Sequence, residues 1–547
     1  MHKPWSDINA LYQIYPRSFQ DSNADGVGDL RGAINRLSYL KGEPDSLGID
    51  AIWFSPFFPS PMADFGYDVS DYCDIHPLFG TLDDFKELLA KAHERDIKVM
   101  IDFVPNHSSN EHPWFIESKS SRDNPKRDYY TWADPKPDGS PPNNWLSIFG
   151  GSAWEWNETR QQYYLHTFLK EQPDLNWEDP AVRQEMQNVL RFWFELGVDG
   201  IRADAVRWIS KDQHLRDDPR NVTFNGGNGS DEFGSLLHVH SRFGPHLFDY
   251  LREMTDVVEQ YPDRIMIFED YPDEIFTIRD QYLGFYSINP RVSMPFNFEG
   301  IGIPFGANNY RRFITEFQGF LNQEEHTPVY CFGNHDQSRL VSRVGNEQAR
   351  VVAMMQLCLP GLPVVYYGDE LGMANGAIKP EEEQDPLNRI KPGLNQGRDP
   401  ERTPMQWDSS PLAGFSSVQP WLPIAAGAGK RNVTVETKDD DSYLALYQHL
   451  LALRTTYQIF RHGDYETFGE ADPNVYVFSR RLGDEHIFVA LNMSNKRQKL
   501  RLPHGGRLLC ASHPLRPIKI AKDGTVKLRP YEAAIFECAK HPIRKAL

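Results

Sequence analysis

Acidic residues stand at or just after the ends of several apolar runs in this chain. Asp204, Glu269 and Asp336 are three such residues. Carboxyl groups brought together can carry out general acid–base and nucleophilic catalysis, or bind a divalent cation. The chain contains neither a phosphate-binding GxxxxGK loop nor an HExxH zinc motif. The chemistry open to these residues is therefore carboxylate catalysis or metal binding.

The apolar runs that carry these residues are continuous in hydrophobicity, which is typical of strands buried on both faces of a parallel sheet. Eight of them recur between Leu11 and Glu370: LYQIYP from Leu11, AIWFSP from Ala51, KVMIDFVPNH from Lys98, GIRADAV from Gly200, IMIFED from Ile265, VSMPFNF from Val292, VYCFGNHD from Val329 and VVYYGDE from Val364. Catalytic groups of parallel barrels lie at the carboxyl ends of such strands.

Amphipathic helices separate the runs. One is predicted after Thr81, a plausible N-cap, and another begins at Pro180 and stops at Gly197. Strands alternating with helices indicate right-handed βαβ units, and eight of them predict a (β/α)8 TIM barrel, an α/β fold.

Two connections are too long for ordinary loops. Residues 108–177, rich in Pro, Gly, Asn and Trp, predict a subdomain inserted after strand 3. Residues 371–440 follow the eighth strand, and a helix over 443–457 then closes the barrel. Short alternating runs from residue 462 predict a C-terminal antiparallel β-sandwich. The predicted domains are therefore the barrel (1–107 and 178–461), the inserted subdomain (108–177) and the C-terminal domain (462–547).

Composition narrows the partners. The 547 residues carry a net charge of −18, the wrong sign for nucleic acid or anionic lipid. No run of about 18 apolar residues predicts a membrane span, and the first residues do not resemble a signal peptide. The five cysteines form no CxxC pair, which favours reduced thiols. We therefore expect a cytoplasmic protein with a neutral ligand.

Four segments resemble the signature regions of the α-amylase family, glycoside hydrolase family 13: DFVPNH from Asp102, GIRADAV from Gly200, FED from Phe268 and FGNHD from Phe332. Four others resemble its α-glucosidase and oligo-1,6-glucosidase branch: YQIYPRSF from Tyr12, GYDVSDY from Gly66, QPDLNW from Gln172 and GRDPERTPMQW from Gly397. The chain departs from a fixed pattern after Glu269, where family members vary.

The resemblance implies a double displacement that retains anomeric configuration. Asp204 would be the nucleophile, Glu269 the acid and base, and Asp336 a stabiliser of the transition state. Like charges crowded together raise one another's pKa, so one carboxyl can stay protonated while another is ionised. Arg202 would keep the nucleophile charged, although an isolated Arg202–Asp204 pair is equally typical of a structural ion pair.

The resemblance also implies a substrate pocket. His107 and His335 would donate to sugar hydroxyls, Tyr67 would stack under the ring, and Asp102 would orient Arg202. Phe149 and Phe168 would wall the pocket. The far end would be closed by Asp64 and Arg402, with Arg398 a second candidate for that arginine. Ala205, a small residue directly after the nucleophile, would favour α-1,4 over α-1,6 linkages.

A calcium loop is predicted between Asp21 and Asp29. The sequence DSNADGVGD supplies the first nine positions of an EF-hand-type loop, with Gly26 at the turn; the ligands would be Asp21, Asn23, Asp25, the carbonyl of Val27 and Asp29. The twelfth position is Gly32 instead of Glu, so a solvated acidic turn is the alternative. The family branch carries a divalent ion here, and we expect structural Ca²⁺, with Mg²⁺ as the alternative.

The sequence therefore predicts an exo-acting α-glucosidase that takes glucose from a small oligosaccharide or disaccharide, as a monomer or homodimer. A transglucosylase or a sucrose or disaccharide isomerase would use the same glucosyl-enzyme intermediate. A protein resembling the transporter-associated heavy chains is a non-enzyme alternative, disfavoured because the chain has no anchor and keeps all three acids.

Overall fold

Eight parallel strands close into a barrel in the computed structural model, which describes residues 3–226, 232–273, 276–321, 326–390, 396–469, 472–502 and 506–538. Each strand pairs with its neighbours in chain order, and the eighth pairs with the first. We number them β1 (Leu11–Ile14), β2 (Ala51–Phe54), β3 (Lys98–Phe103), β4 (Gly200–Ala203), β5 (Ile265–Phe268), β6 (Ser293–Asn297), β7 (Val329–Cys331) and β8 (Leu362–Tyr366). The predicted TIM barrel is confirmed.

Every residue of these strands is buried, which explains why the runs are apolar without alternation. Strand β8 begins at Leu362, earlier than the predicted start at Val364. Pro363 lies inside the strand, in register with Tyr330 of β7. Because proline lacks a backbone donor, its position in a barrel strand is not expected from sequence.

Helices return the chain outside the barrel after each strand: Leu30–Asn35 with Leu37–Leu40, Leu82–His93, Pro180–Leu196, Leu247–Glu259, Ile278–Tyr286, Ala307–Phe320, Asn346–Cys358 and Tyr443–Thr456. The predicted N-cap is confirmed, since the Thr81 side chain accepts from the backbone of Asp84 and the Asp84 side chain from that of Thr81. Gly197 ends its helix at φ 113°, a left-handed conformation that favours glycine.

A subdomain is inserted between β3 and β4. It contains the helix Pro113–Ser120 and an antiparallel sheet of three short strands, Trp132–Ala133, Gln162–Leu165 and Trp154–Asn157. The buried Asp174 attaches it to the barrel, because its carboxylate lies 2.8 Å from Nζ of Lys211 in the segment after β4. This attachment holds the segment around Phe168 over the carboxyl ends of the strands.

The C-terminal region forms two antiparallel sheets. One has the order β9 (Asp464–Thr467), β10 (Val475–Leu482), β11 (Glu485–Asn492), β15 (Ala533–Cys538) and β13 (Gly506–Ala511), and the other pairs β12 (Gln498–Arg501) with β14 (Thr525–Leu528). Phe488, Val526 and Phe536 belong to one apolar cluster between them. Across the described ranges, no helix combines the length and the hydrophobicity that a membrane span requires.

Candidate active site

A cavity of about 360 Å³ opens at the carboxyl ends of the barrel strands. Most of the residues that the sequence predicts for the site line it: Asp64, Tyr67, His107, Phe149, Phe168, Asp204, Ala205, Glu269, Asp336 and Arg398. Three others, Arg202, His335 and Arg402, are almost fully buried behind its wall. The structure therefore brings together side chains from distant parts of the chain.

Arg202 lies at the centre of the acidic groups. Its Nη1 donates to Asp204 at 2.6 Å and to Asp102 at 3.0 Å, and its Nη2 lies 2.8 Å from Oε1 of Glu269. Strands β3, β4 and β5 are neighbours, so their ends place these groups side by side. Asp102 contacts Arg202 as predicted, and one guanidinium is shared by three carboxyl groups.

The Asp204 and Glu269 carboxyls form an electrostatically coupled pair. Burial and the charge of Glu269 raise the pKa of Asp204 well above its usual range, although Arg202 opposes them. Two interacting buried carboxyls titrate as a unit, so the pair retains one proton to a higher pH than an isolated acid. The backbone N–H of Ala205 donates to Oε2 of Glu269 at 2.7 Å and holds that carboxyl beside Asp204.

Asp336 is held in the opposite state. Burial alone would raise its pKa, but His335, Arg398 and Arg402 together hold the pKa well below the usual range. Arg402 Nη2 donates to Asp336 at 2.7 Å and Arg398 Nη1 at 3.2 Å. Asp336 is therefore an ionised carboxylate at neutral pH, in contrast to the proton-sharing pair.

Asp64 and Arg398 line the same cavity and form an ion pair, with Nη2 of Arg398 2.7 Å from Oδ1 of Asp64. The prediction that Arg402 is the partner of Asp64 is wrong, and the second candidate, Arg398, takes that place. Arg402 instead donates to the carbonyl of His335 at 2.8 Å and is fully buried. The buried Asp385, which sequence reasoning missed, fixes Arg398 by accepting from its Nε at 2.7 Å.

Comparison with known proteins places this geometry in a family. The model of the α-amylase catalytic domain matches residues 13–463. The chain belongs to the α-amylase family of glycoside hydrolases. A probable alpha-glucosidase of Rhizobium meliloti (strain 1021) is 41% identical, covering 92% of this chain and 91% of the relative. An oligo-1,6-glucosidase of Parageobacillus thermoglucosidasius is 37% identical, covering 98% and 99%. A solved alpha-glucosyl transfer enzyme, 37% identical, superimposes with a TM-score of 0.90 over 98% of this chain and 100% of that one.

As a member of this family, the chain is a glycoside hydrolase, and two histidines stand at its signature strand ends. His107 lines the cavity, where its ring is 4.9 Å from that of Phe168. Burial lowers the pKa of His107 to about 4, so it is neutral near pH 7. Its Nε2 lies 3.0 Å from the side-chain amide of Gln172.

His335 lies behind Tyr67, and the two rings are stacked with an interplanar angle of 2°. Burial lowers the pKa of His335 to about 3. Its Nδ1 is 2.7 Å from Nε2 of Gln13, and its Nε2 is 2.6 Å from the hydroxyl of Tyr67. To donate to a sugar hydroxyl, as the sequence predicts, Nε2 would have to exchange Tyr67 for the sugar.

The cavity has a second group of lining residues that the sequence analysis did not name as substrate contacts: Ile148, Arg207, Trp208, Asp270, Tyr271, Gln337 and Leu387. Several of them stand a few positions after a predicted catalytic residue. Arg207 and Trp208 follow Asp204, Asp270 and Tyr271 follow Glu269, and Gln337 follows Asp336. This proximity in sequence is the signal that could have identified them, whereas nothing comparable marks Ile148 or Leu387.

The predicted calcium loop forms a turn at Gly26, which has φ 88°. Its carboxylate and amide oxygens are the kind of donor that Ca²⁺ or Mg²⁺ accepts. The loop also uses these oxygens internally: Asp21 Oδ1 accepts from the backbone N–H groups of Asn23 and Ala24, and Asp29 accepts from that of Gly32. No three acidic, His or Cys groups of the described residues converge as ligands. Metal binding here stays a prediction.

Proposed function

We propose that this glycoside hydrolase is a retaining, exo-acting α-glucosidase of short α-glucosides. The observation that carries the proposal is the arrangement of Asp204 and Glu269 on one guanidinium, that of Arg202, in a cavity whose far end we take to be closed by the ion pair of Asp64 and Arg398. A retaining mechanism needs its two carboxyls about 5–5.5 Å apart. Because Nη1 of Arg202 contacts Asp204 and Nη2 contacts Glu269, the guanidinium holds these two carboxyls close to each other.

In the first step Asp204 attacks the anomeric carbon and forms a glycosyl-enzyme bond, while Glu269 gives its proton to the departing glycosidic oxygen. In the second step Glu269 takes a proton from water, and the water oxygen displaces Asp204 from the same carbon. The crowding of the two carboxyls supports both roles, because burial and the charge of Glu269 raise the pKa of Asp204 and two carboxyls this close resist being ionised together. Asp336 stays ionised, and its negative charge stabilises the positive charge that develops on the sugar ring.

The closed end supports exo action. Asp64, Arg398 and Asp336 would present charged hydrogen-bonding groups to the terminal glucose, and the Asp64–Arg398 ion pair would block further sugar units on that side. Tyr67 offers a ring face under the glucose. Ala205 lines the cavity beside the reacting carboxyls and supports an α-1,4 preference over α-1,6, because a small side chain leaves space for the next sugar.

Transglucosylation is a second candidate for the same site. We place the apolar lining residues Ile148, Trp208 and Leu387 on the aglycone side of the cavity. Such a wall favours a sugar or alcohol acceptor over water once the glycosyl-enzyme bond has formed. The solved alpha-glucosyl transfer enzyme supports this alternative, in which a disaccharide isomerase would be a special case.

Two further proposals concern the setting of the enzyme. All five cysteines are free thiols in the structure, which supports a reducing compartment such as the cytoplasm. The loop from Asp21 to Asp29 would bind Ca²⁺, or Mg²⁺, in a structural role away from the reacting carboxyls. A chelation experiment for this loop is described in the Discussion.

The decisive experiment incubates the protein with maltose, isomaltose, sucrose and trehalose and separates the products by chromatography. We expect glucose from maltose at the highest kcat/KM, and proton NMR at early times should show the α-anomer of glucose first. Transfer products at high substrate would identify the second candidate as a parallel activity. Release of β-glucose first, or no glucose from any of the four sugars, would contradict the proposal. Asp204→Asn is the inactive control.

A further inference from the structure

Arg207 is a buried cation in the wall of the cavity. It lies in the short turn Val206–Trp208 that follows β4, three positions after Asp204, and it is 7% exposed. Neither the four signature regions nor the mechanism above uses it. A buried guanidinium this close to the reacting groups needs an explanation, because charges are rarely buried unless they are paired.

Among the described residues, the hydrogen-bond acceptors of the Arg207 guanidinium belong to the segment that directly follows Glu269, and the guanidinium also lies 5.3 Å from the ring centroid of Phe243. Its Nε donates to Oδ1 of Asp270 at 2.8 Å, and its Nη1 donates to Oδ2 of Asp273 at 3.0 Å. The carbonyl of Tyr271 also accepts from Nη2. One guanidinium therefore engages three successive groups of this segment, in the planar fork geometry that Arg provides and Lys does not.

Other contacts attach the same segment elsewhere. Gln281, in the helix Ile278–Tyr286, donates to the carbonyl of Tyr271 at 2.7 Å, and Arg242 lies 2.9 Å from Asp273. Arg207 differs from both, because it lies in the turn that directly follows β4 and Asp204. It therefore links the loop bearing one reacting carboxyl to the loop bearing the other.

A second contact between the two loops, a backbone hydrogen bond, lies nearer the reacting carboxyls. The backbone N–H of Ala205 donates to Oε2 of Glu269 at 2.7 Å, two residues before Arg207. The turn after β4 thus holds Glu269 directly through Ala205 and holds its chain continuation through Arg207. Because Gln281 and Arg242 also hold this segment, removing the Arg207 contacts would loosen it without releasing it, and would lengthen or misalign the hydrogen bond from Ala205 to Glu269.

We propose that Arg207 is a positioning residue for the acid–base carboxyl: by clamping Asp270 and Asp273 it fixes Glu269 relative to Asp204. The inference rests on the proposed function, since it assigns a role within that mechanism. Arg207 touches no reacting atom in this account. Asp270 and Asp273 neutralise it, so it does not serve to bind an anionic aglycone.

The leaving group distinguishes positioning of an acid from general structural support. Departure of a sugar hydroxyl from maltose requires proton donation, whereas departure of nitrophenolate from 4-nitrophenyl α-glucoside requires little. General acid catalysis contributes about 10²–10⁴-fold where it is needed. A displaced Glu269 should therefore slow maltose cleavage much more than nitrophenyl glucoside cleavage.

The experiment measures kcat/KM on both substrates for the wild type, Arg207→Lys, Asp270→Asn and Glu269→Gln, because kcat/KM reports the step that breaks the glycosidic bond. We expect Arg207→Lys and Asp270→Asn each to lower the maltose value at least about tenfold more than the nitrophenyl glucoside value. Glu269→Gln should show the same pattern with a larger difference. The alkaline limb of the maltose pH profile should also move in the two clamp variants.

Arg183→Lys is the matched control, because Arg183 also joins two segments through an acidic partner, Glu253 at 3.1 Å, but lies outside the cavity lining. It should leave the substrate ratio unchanged. An equal loss on both substrates in both folded clamp variants, checked by thermal melting, would overturn the assignment of Arg207. If only one of the two clamp variants folds, the ratio of its kcat/KM values on maltose and on the nitrophenyl glucoside tests the assignment of Arg207. A wild type that cleaves neither glucoside would overturn the proposed function, and the assignment with it.

Discussion

The two ends of the active-site cavity are built from different chemistry. At the closed end, Asp64 pairs with Arg398 at 2.7 Å and Asp336 with Arg402 at 2.7 Å. In the proposed binding mode, the aglycone end has an apolar wall that includes the side chains of Ile148, Trp208 and Leu387. A site made of paired, buried hydrogen-bonding groups rejects a ligand that leaves one of them unpaired, whereas an apolar wall discriminates by only about 1–3 kcal/mol.

This difference predicts strict selection of the sugar that is transferred and loose selection of the group that leaves. In the proposed mechanism the reacting carboxyls of Asp204 and Glu269, which share Arg202 with Asp102, act at the boundary between the two ends. The loss of activity should therefore be largest for variants at the boundary, smaller for variants at the closed end and smallest for variants at the aglycone end.

The largest effect is expected at the boundary, from Asp204→Asn. Turnover of maltose should fall by more than about a thousandfold, because only a carboxylate can form the glycosyl-enzyme bond. Folding should be preserved, since Arg202 keeps Asp102 and Glu269 and one like charge is removed from the cluster. Steady-state kinetics together with a thermal melt check both points. A folded variant that keeps more than a tenth of the wild-type rate would rule out Asp204 as the nucleophile.

The closed end should show the next largest effect. Asp64→Asn leaves Arg398 short of one buried partner, and losing such a charge pair costs about 2–5 kcal/mol. We expect kcat/KM for maltose to fall about 300-fold, within that range. The matched variant at the other end is Leu387→Ala, which lines the same cavity and should lose less than about tenfold. Comparable losses in the two variants would show that the ends do not differ as their walls suggest.

The boundary and the closed end were the parts of the site that sequence could predict, apart from one choice. Strand-end motifs identify Asp204, Glu269 and Asp336 because a short pattern of residues at the carboxyl end of a parallel strand fixes their place. Arg398 and Arg402 stand in one motif, four positions apart. Which of them reaches Asp64 depends on the path of the loop, and no local pattern encodes that path.

The aglycone end was largely missed for a physical reason. Ile148 and Leu387 come from two separate connections and share no spacing, so their meeting with Trp208 depends on tertiary structure alone. The barrel itself was predictable because a strand that is buried on both faces has a continuous apolar sequence, as in Lys98–Phe103. Two prolines inside barrel strands, Pro295 in β6 and Pro363 in β8, show the limit of that rule.

Ala205 tests the aglycone end directly, and its backbone adds a complication that the sequence does not reveal. It has φ 49°, in the left-handed region where a β-branched side chain is strained by about 1–3 kcal/mol. Ala205→Val should shift the ratio of kcat/KM for isomaltose to that for maltose toward isomaltose by about 10- to 100-fold. The variant should also melt at a lower temperature than the wild type.

Ala205→Gly is the control, because glycine adopts this conformation without strain. It should melt no lower than the wild type and keep the linkage ratio within about threefold, since it only enlarges the space for the second sugar. If the wild type already prefers isomaltose, or if the valine variant leaves the ratio unchanged, the linkage preference is set elsewhere on the aglycone wall.

The smallest effect should come from the predicted calcium loop, which braces the closed end from behind. The carbonyl of Gly26 accepts from the backbone of Trp421, whose ring lies 5.4 Å from that of Phe65, the neighbour of Asp64. A metal bound only to the folded protein at about a hundred times its dissociation constant stabilises it by about 2.7 kcal/mol. Excess chelator should therefore lower the melting temperature by a few degrees while activity at room temperature changes little.

Asp25→Asn is a sharper test of metal binding than Asp21→Ala, because Asp21 also accepts from Ser416 and its loss would destabilise the loop without any metal. If the wild type and Asp25→Asn melt identically with and without chelator, the loop is a solvated acidic turn that supports the closed end through its own hydrogen bonds.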